Sequence, residues 1–101
     1  MTVIISPKIA AKIAGDDHGN ITAKEVEECF ANHNGAYATD SRPEHLDQSG
    51  NPALWFVAET NRRKRLKITF VHENGNVYLK SAYPATDKVT ELFKRKTGCN
   101  Y

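Results

Sequence analysis

The most constraining feature of this sequence is the dipeptide Asn74-Gly75, which separates two stretches rich in β-forming residues. An Asn-Gly pair in this setting is the strongest short-range indication of a two-residue β-hairpin turn, because both residues accept the positive φ angles that the turn requires. The turn places Glu73 opposite Asn76. It therefore predicts two antiparallel strands, over residues 65–73 and 76–83, with a fixed register.

This register sorts the side chains of the hairpin onto two faces of a sheet. Counting back from the turn pairs Phe70 with Leu79 on a face that is apolar enough to be a core face. The opposite face carries Lys67 and Lys80. The same count puts Tyr83 on the side away from Lys67, unless the strand contains a bulge.

A third strand is predicted over residues 53–60, joined to the hairpin by a basic loop. A loop with an odd number of residues keeps Phe56 on the core face and Trp55 on the other face, whereas an even number would reverse them. We prefer the odd loop, because one version of it sets Glu59 directly across from Lys67 as an ion pair.

Helix signals flank these three strands. Ser6 followed by Pro7 is a typical helix start, and Thr22 with Glu25 forms a capping box at the start of a second helix. Besides the three strands, we predict strands at 3–5 and 35–40, helices at 7–14, 22–32 and 87–96, and a loop at 41–52. The fold class is therefore α+β, with N-terminal helices and a C-terminal helix packed on one face of an antiparallel sheet of three to four strands.

Length and composition limit what the protein can be. The 101 residues suffice for one modest core, so residues 1–101 are predicted to form a single domain. A net charge of +2 excludes a histone-like polycation. No apolar run approaches the roughly 18 residues of a membrane span, and no metal-binding spacing is present, so we expect a cytoplasmic protein without a membrane partner, metal or cofactor.

The segment TNRRKRLK at residues 60–67 concentrates five positive charges in eight residues. Such a turn is often only a solvated loop that protects a strand end from aggregation. The alternative is an anion site, in which these cations and the sheet face bearing Trp55 attract a phosphate backbone.

Several of these features together resemble the BrnT family of type II toxins. They are the pair His18-Gly19, the helix start Thr22-x-x-Glu25-Val26, and the segments WFVAET, RLKITFV and VYLKSAY around the two turns. BrnT toxins have a fold similar to RelE and ParE. The resemblance implies a RelE-like domain that cleaves RNA, arrests translation and is neutralised by a cognate, DNA-binding antitoxin, and it leaves room for a homodimer. Tyr83 stands where BrnT-like chains commonly have an arginine.

A ribonuclease of this kind would use attack of a ribose 2′-hydroxyl on the adjacent phosphorus, without a metal. The reaction needs a base, a cation for the developing charge and an acid for the leaving oxygen. Glu59 is a candidate for the base, and so are His33 and His45, which lie on predicted loops. The candidate catalytic residues are Glu59, Arg65, Lys67, Lys80 and Tyr83. The candidate RNA-binding residues are Trp55, Arg62, Arg63, Lys64 and His45.

Two other classes of function are considered. A catalytically inactive toxin relative would keep the apolar and basic surface and serve as a protein-interaction module for an antitoxin-like partner. Chains of this type are also sometimes labelled ADP-ribosyl-(dinitrogen reductase) hydrolase. That chemistry is associated with a larger, all-helical, metal-dependent fold with clustered aspartates, whereas the aspartates of this chain are scattered.

Overall fold

The computed structural model describes residues 2–33, 35–40, 53–73 and 75–98. Within these ranges the protein is an α+β domain with a five-stranded sheet, three α-helices and one short 3-10 helix. The elements in chain order are β1 (Thr2–Ile4), α1 (Pro7–Ala14), a 3-10 helix (Asp16–His18), α2 (Ala23–Asn32), β2 (Ala38–Asp40), β3 (Ala53–Glu59), β4 (Arg65–Glu73), β5 (Asn76–Pro84) and α3 (Asp87–Thr97). The predicted loop at 41–52 lies outside the described residues.

The sheet has the strand order β1-β5-β4-β3-β2 and is mixed. β1 runs parallel to β5, with Val3 opposite Val77, while every other pair of neighbours is antiparallel. The prediction of a purely antiparallel sheet of three to four strands is therefore wrong. The sequence indicated β1 as a strand, but its partner is chosen by packing between segments more than 70 positions apart, which no local pattern encodes.

The predicted Asn-Gly hairpin is confirmed near its turn and shifts further along. Glu73 lies opposite Asn76 and Phe70 lies opposite Leu79, as expected. The register then changes between Thr69 and Phe70, so that Lys80 is left without an opposing residue. This bulge moves every later residue of β5 by one position relative to β4.

The bulge changes which side chains share a face. Lys67 lies opposite Tyr83 rather than Ala82, so Tyr83 belongs to the same sheet face as Lys67 and the simple count was wrong. Lys80 is not opposite Thr69, because Ser81 takes that position.

The first hairpin has a five-residue loop from Thr60 to Lys64, so the predicted odd loop is confirmed. Phe56 and Trp55 consequently lie on opposite faces. The expected pairing of Glu59 with Lys67 is wrong, because Glu59 lies opposite Arg65 and Lys67 lies opposite Val57. The apolar pattern predicts that the loop has an odd number of residues, but it does not predict how many residues the loop contains.

The first two helices begin and end where the sequence predicts. Ser6 caps α1, and Thr22 and Glu25 form the full capping box at the start of α2. α2 buries Cys29 and Phe30 against the sheet, and Phe30 contacts the rings of Phe56 and Phe70. Burial raises the pKa of the Cys29 thiol to about 12, assisted by the nearby carboxylates of α2, so this thiol is an inert core group.

α3 packs on the other face of the sheet, so the prediction that all helices share one face is wrong. The ring of Phe93 lies 5.6 Å from that of Trp55, whose side chain alternates to the face away from α2. Phe93, Thr69 and Ser81 are all at most 2% exposed. The sheet is therefore covered by apolar groups on both sides, because the continuous apolar run of β3 supplies side chains to both faces.

Candidate functional site

The predicted open sheet face is not open. Trp55 is only 4% exposed and is covered by Phe93 of α3. The ammonium group of Lys67 lies 4.8 Å from the centre of the Trp55 ring, a cation–π contact that holds this lysine over the indole. Trp55 therefore cannot act as a base-stacking platform without displacement of α3, and in this structure it is part of the covered core.

Two cations of the basic loop are engaged within the protein. Nζ of Lys64 donates to the carbonyl oxygen of Gly19 at 2.9 Å and lies 3.4 Å from Oε2 of Glu25. Nη2 of Arg65 lies 2.7 Å from Oδ1 of Asp87, at the start of α3. These contacts tie the hairpin to the segment before α2 and to α3, which is a structural use of the charges.

The remaining predicted catalytic residues are dispersed. Tyr83 stacks on the imidazole of His18, with the ring centres 4.6 Å apart. Lys80, at the bulge, lies in a groove beside α1 together with Lys8 and Lys12. The geometry thus separates Lys80 from the basic loop. His45 lies outside the described residues.

A cavity of about 530 Å³ is present at the end of α2, beside the end of β3. We call it the rim cavity. It brings together two residues of the predicted site, Glu59 and Arg63, with His33, which the sequence left open as a base. Its lining residues are Asn32, His33, Val57, Ala58, Glu59, Thr60, Asn61 and Arg63.

The His33 imidazole is oriented by two hydrogen bonds. Its Nδ1 contacts the carbonyl oxygen of Phe30, and its Nε2 lies 2.7 Å from the hydroxyl of Tyr37. A carbonyl oxygen only accepts, so Nδ1 carries the hydrogen and the neutral ring accepts at Nε2 from Tyr37. Partial burial raises the pKa of the Tyr37 hydroxyl, which keeps this donor protonated.

Aromatic packing fixes the position of this His33–Tyr37 pair. The His33 ring lies 4.9 Å from that of Phe56, and the Tyr37 ring lies 5.2 Å from that of Phe70. His33 also caps α2, since its backbone N–H donates to the carbonyl oxygen of Cys29 at 2.9 Å. An imidazole held by core rings and a helix end keeps its geometry when a ligand binds.

The wall of the rim cavity nearest the basic loop is built by amide side chains. Nδ2 of Asn32 donates to the carbonyl oxygen of Glu59 at 2.9 Å and to Oδ1 of Asn61 at 3.0 Å. Arg63 has a φ of 64° in the turn, so its backbone adopts the left-handed region. Both loop arginines, Arg62 and Arg63, are exposed, and neither has an ion pair within the described ranges.

Sequence reasoning missed Asn32, Tyr37 and Asn61. His33 and Tyr37 are four residues apart, but both follow the last residue of α2, so no helix explains their contact. Asn61 is a typical turn residue and carried no other signal. The end of α2 near Asn32 was predicted from the sequence. This helix end was the only sequence signal at the position of the rim cavity.

Comparisons with protein-family models, with curated proteins and with solved structures find no match for this chain. In the part of the chain that the structure describes, no group of three or more His, Cys, Asp or Glu side chains is placed to hold a metal ion. No helix in that part is long and apolar enough to cross a membrane.

Proposed function

We propose that this protein is the toxin of a type II toxin–antitoxin module, of BrnT type and with a RelE-like fold, and that it acts as a cytoplasmic endoribonuclease at the rim cavity. The observation that supports this proposal is the His33 imidazole, oriented by Phe30 and Tyr37 at a cavity shared with Glu59 and Arg63. Imidazole is the side chain that most readily exchanges protons near neutral pH.

The proposed reaction begins with a ribose 2′-hydroxyl that takes the place of the Tyr37 hydroxyl at Nε2 of His33. Both groups are O–H donors, so the exchange leaves no unpaired acceptor. Nε2 removes the proton as the 2′ oxygen attacks phosphorus, and the bond from phosphorus to the 5′ oxygen breaks. The departing 5′ oxygen takes a proton from water, and the resulting hydroxide takes the proton back from the imidazolium of His33. The products are a 2′,3′-cyclic phosphate and a 5′-hydroxyl end.

The negative charge that develops on the phosphate oxygens is balanced by the exposed arginines of the basic loop. Arg63 lines the rim cavity, and Arg62 lines a neighbouring groove at the start of α2. A planar guanidinium can donate two parallel hydrogen bonds to a phosphate, which suits the in-line geometry of this reaction. No metal has a role in this scheme. Arg65, Lys64 and Lys67 act only in positioning the hairpin.

The test is cleavage of a short RNA by the purified protein, with the 3′ ends of the products analysed for cyclic phosphate. His33→Asn should lower the rate by about 10² to 10⁴-fold, the typical contribution of a general base. His72→Asn is the matched control, because His72 is exposed on β4 and is not among the residues that line the rim cavity. EDTA should leave the rate unchanged. Equal losses in both variants, or products without cyclic phosphate, would contradict the proposal.

A second function is favoured by the internal use of the basic loop. Lys64, Arg65 and Lys67 all contact groups of the protein itself, which is the arrangement expected for a surface kept for shape rather than for catalysis. We therefore retain a catalytically inactive interaction module for an antitoxin-like partner as the alternative. Expression in a bacterial host separates the two functions, since a ribonuclease should arrest growth and His33→Asn should relieve the arrest.

A further inference from the structure

The groove beside α1 has a different chemistry from the rim cavity. Its volume is about 460 Å³, and we call it the α1 groove. Three lysines line it, Lys8 and Lys12 from α1 and Lys80 from β5, and no carboxylate is among its lining residues. The groove opens where β1 stops pairing with β5, since the last pair is Ile4 with Tyr78.

The sequence of α1 directs both of its lysines to this groove. Lys8 and Lys12 are four residues apart in a helix and therefore lie on the same face. The first turn of α1 contains no acidic residue that could pair with them. Ser6 caps this helix and also lines the groove, so the positive end of the helix dipole lies at the same place.

Lys80 lies at the bulge in the hairpin and lines the groove. The register shift leaves Lys80 without an opposing residue in β4 and frees it from the strict alternation of the strand. None of the three lysines has an ion pair within the described part of the chain. Like charges brought together on a concave surface repel each other, and a bound anion removes that cost.

The rest of the lining is suited to an organic group rather than to a bare anion. The ring of Tyr78 is half-buried, and the side chains of Ile9 and Leu79 form an apolar wall. Hydroxyl groups of Ser6 and Tyr78 offer further hydrogen bonds. An apolar and aromatic wall beside a cluster of cations is the combination that holds a base or ribose while the phosphate is neutralised.

We infer that the α1 groove is a nucleotide-binding site, with the phosphate held by Lys8, Lys12 and Lys80 and the nucleoside placed against Tyr78. It lies apart from the rim cavity, and the two share no lining residue. The inference does not depend on the proposed ribonuclease activity. It gives the chain a second site for phosphorylated ligands, at the β1 edge of the sheet.

The test is an NMR titration of the full chain with 5′-adenosine monophosphate, following the backbone amides. Saturable shifts should appear at residues 78–80 and in α1. Adenosine without the phosphate should bind at least about tenfold more weakly, because hydrogen bonds to a charged group are lost. Shifts confined to the rim cavity, or equal binding of adenosine, would overturn the inference.

Variants provide the second arm. Lys12→Gln with Lys80→Gln should weaken binding by about 100-fold, on the basis of about tenfold for each charge-assisted contact. Lys88→Gln with Lys96→Gln removes the same charge from exposed positions of α3 and should change binding less than about twofold. All four lysines carry water-exposed or half-exposed side chains, so both variants should fold. Equal weakening by the two pairs would show diffuse attraction and overturn the site.

A 5′-phosphorylated oligonucleotide identifies the source of the nucleotide. Tighter binding than the mononucleotide would assign the groove to the end of an RNA strand. Equal binding would assign it to free nucleotides. In either case His33→Asn should leave the affinity unchanged, which keeps this site separable from the proposed catalytic centre.

Discussion

The basic segment at residues 60–67, which comprises the loop and the start of β4, contains two groups of cations that differ in what they contact. Lys64, Arg65 and Lys67, which we call the tethered cations, contact Glu25, Asp87 and the Trp55 ring. Arg62 and Arg63, the rim arginines, are exposed and have no ion pair within the described residues. Neighbours in sequence therefore have separate uses, and a run of positive charge does not by itself mark an anion site.

The difference arises from the positions of these residues on the hairpin. The tethered cations lie on or beside β4, where Lys64 contacts α2, Arg65 contacts the start of α3, and Lys67 contacts the Trp55 ring that α3 covers. The rim arginines lie in the turn, where they line the rim cavity and the neighbouring groove beside α2 without forming an ion pair within the described residues. Charges that have fixed partners stabilise the fold, whereas charges without partners are available to a ligand.

The largest expected effect, on the free energy of unfolding, comes from uncovering the sheet face that carries Trp55 and Lys67. Phe93→Ala removes a side chain that is 1% exposed and should lower the free energy of unfolding by about 3–5 kcal/mol, measured by urea denaturation. The Trp55 fluorescence should also become accessible to quenchers. Faster RNA cleavage in this variant would contradict the distinction between the tethered cations and the rim arginines, because it would mean that the covered sheet face is the reactive one.

The second effect sharpens the comparison from the rim side. Arg63→Asn keeps a residue that tolerates the left-handed backbone and removes the guanidinium. The rate of RNA cleavage should fall by about 10² to 10³-fold, the usual effect of losing one preorganised donor to a developing charge. The midpoint of urea unfolding should be unchanged. A loss of stability without a loss of rate would place Arg63 with the tethered cations.

Lys64→Gln should give the opposite pattern. It removes a hydrogen bond to Gly19 and an ion pair with Glu25, both partly shielded from water, so we expect a loss of about 1 kcal/mol in the free energy of unfolding. The rate of RNA cleavage should change less than about threefold at temperatures where both proteins are folded. Denaturation and single-turnover kinetics on the same samples measure both quantities.

The smallest effect is expected at the ion pair between Arg65 and Asp87. Asp87 is 94% exposed at its side chain, so Asp87→Asn should cost well under 1 kcal/mol, and the loss should disappear in about 1 M salt because exposed pairs are screened. Thermal denaturation at low and high salt makes the comparison. A cost above about 2 kcal/mol would show that this tether is stronger than its exposure indicates.

Much of the fold could be predicted from local patterns. The capping box of α2, the cap of α1 and the Asn-Gly turn each depend on residues within a few positions of one another, so they can be recognised without a partner segment. The bulge at Lys80 and the parallel pairing of β1 depend on contacts between distant segments. They could not be read from the chain.

The candidate site was less predictable than the fold. Glu59 was proposed as a carboxylate on a predicted strand and Arg63 as a cation of the basic loop, and His33 was named only as an open possibility for a base. Tyr37 was missed because its role depends on the hydrogen bond to His33, which forms across the end of α2. Trp55 and Lys67 were placed on the correct face, but that face was expected to be open, because the sequence does not say on which face α3 will pack.

The amino-acid sequence by itself determined where the three helices and the three long strands begin and end to within one residue, because caps, turns and apolar spacing act over a few residues. Tertiary structure alone decided which cations are tethered and which are exposed, because that depends on which helix covers each face of the sheet. The bulge at Lys80, beside the α1 groove, also depends on tertiary packing. Local chemistry specifies the elements of this protein, and their packing selects the surfaces that a ligand can reach.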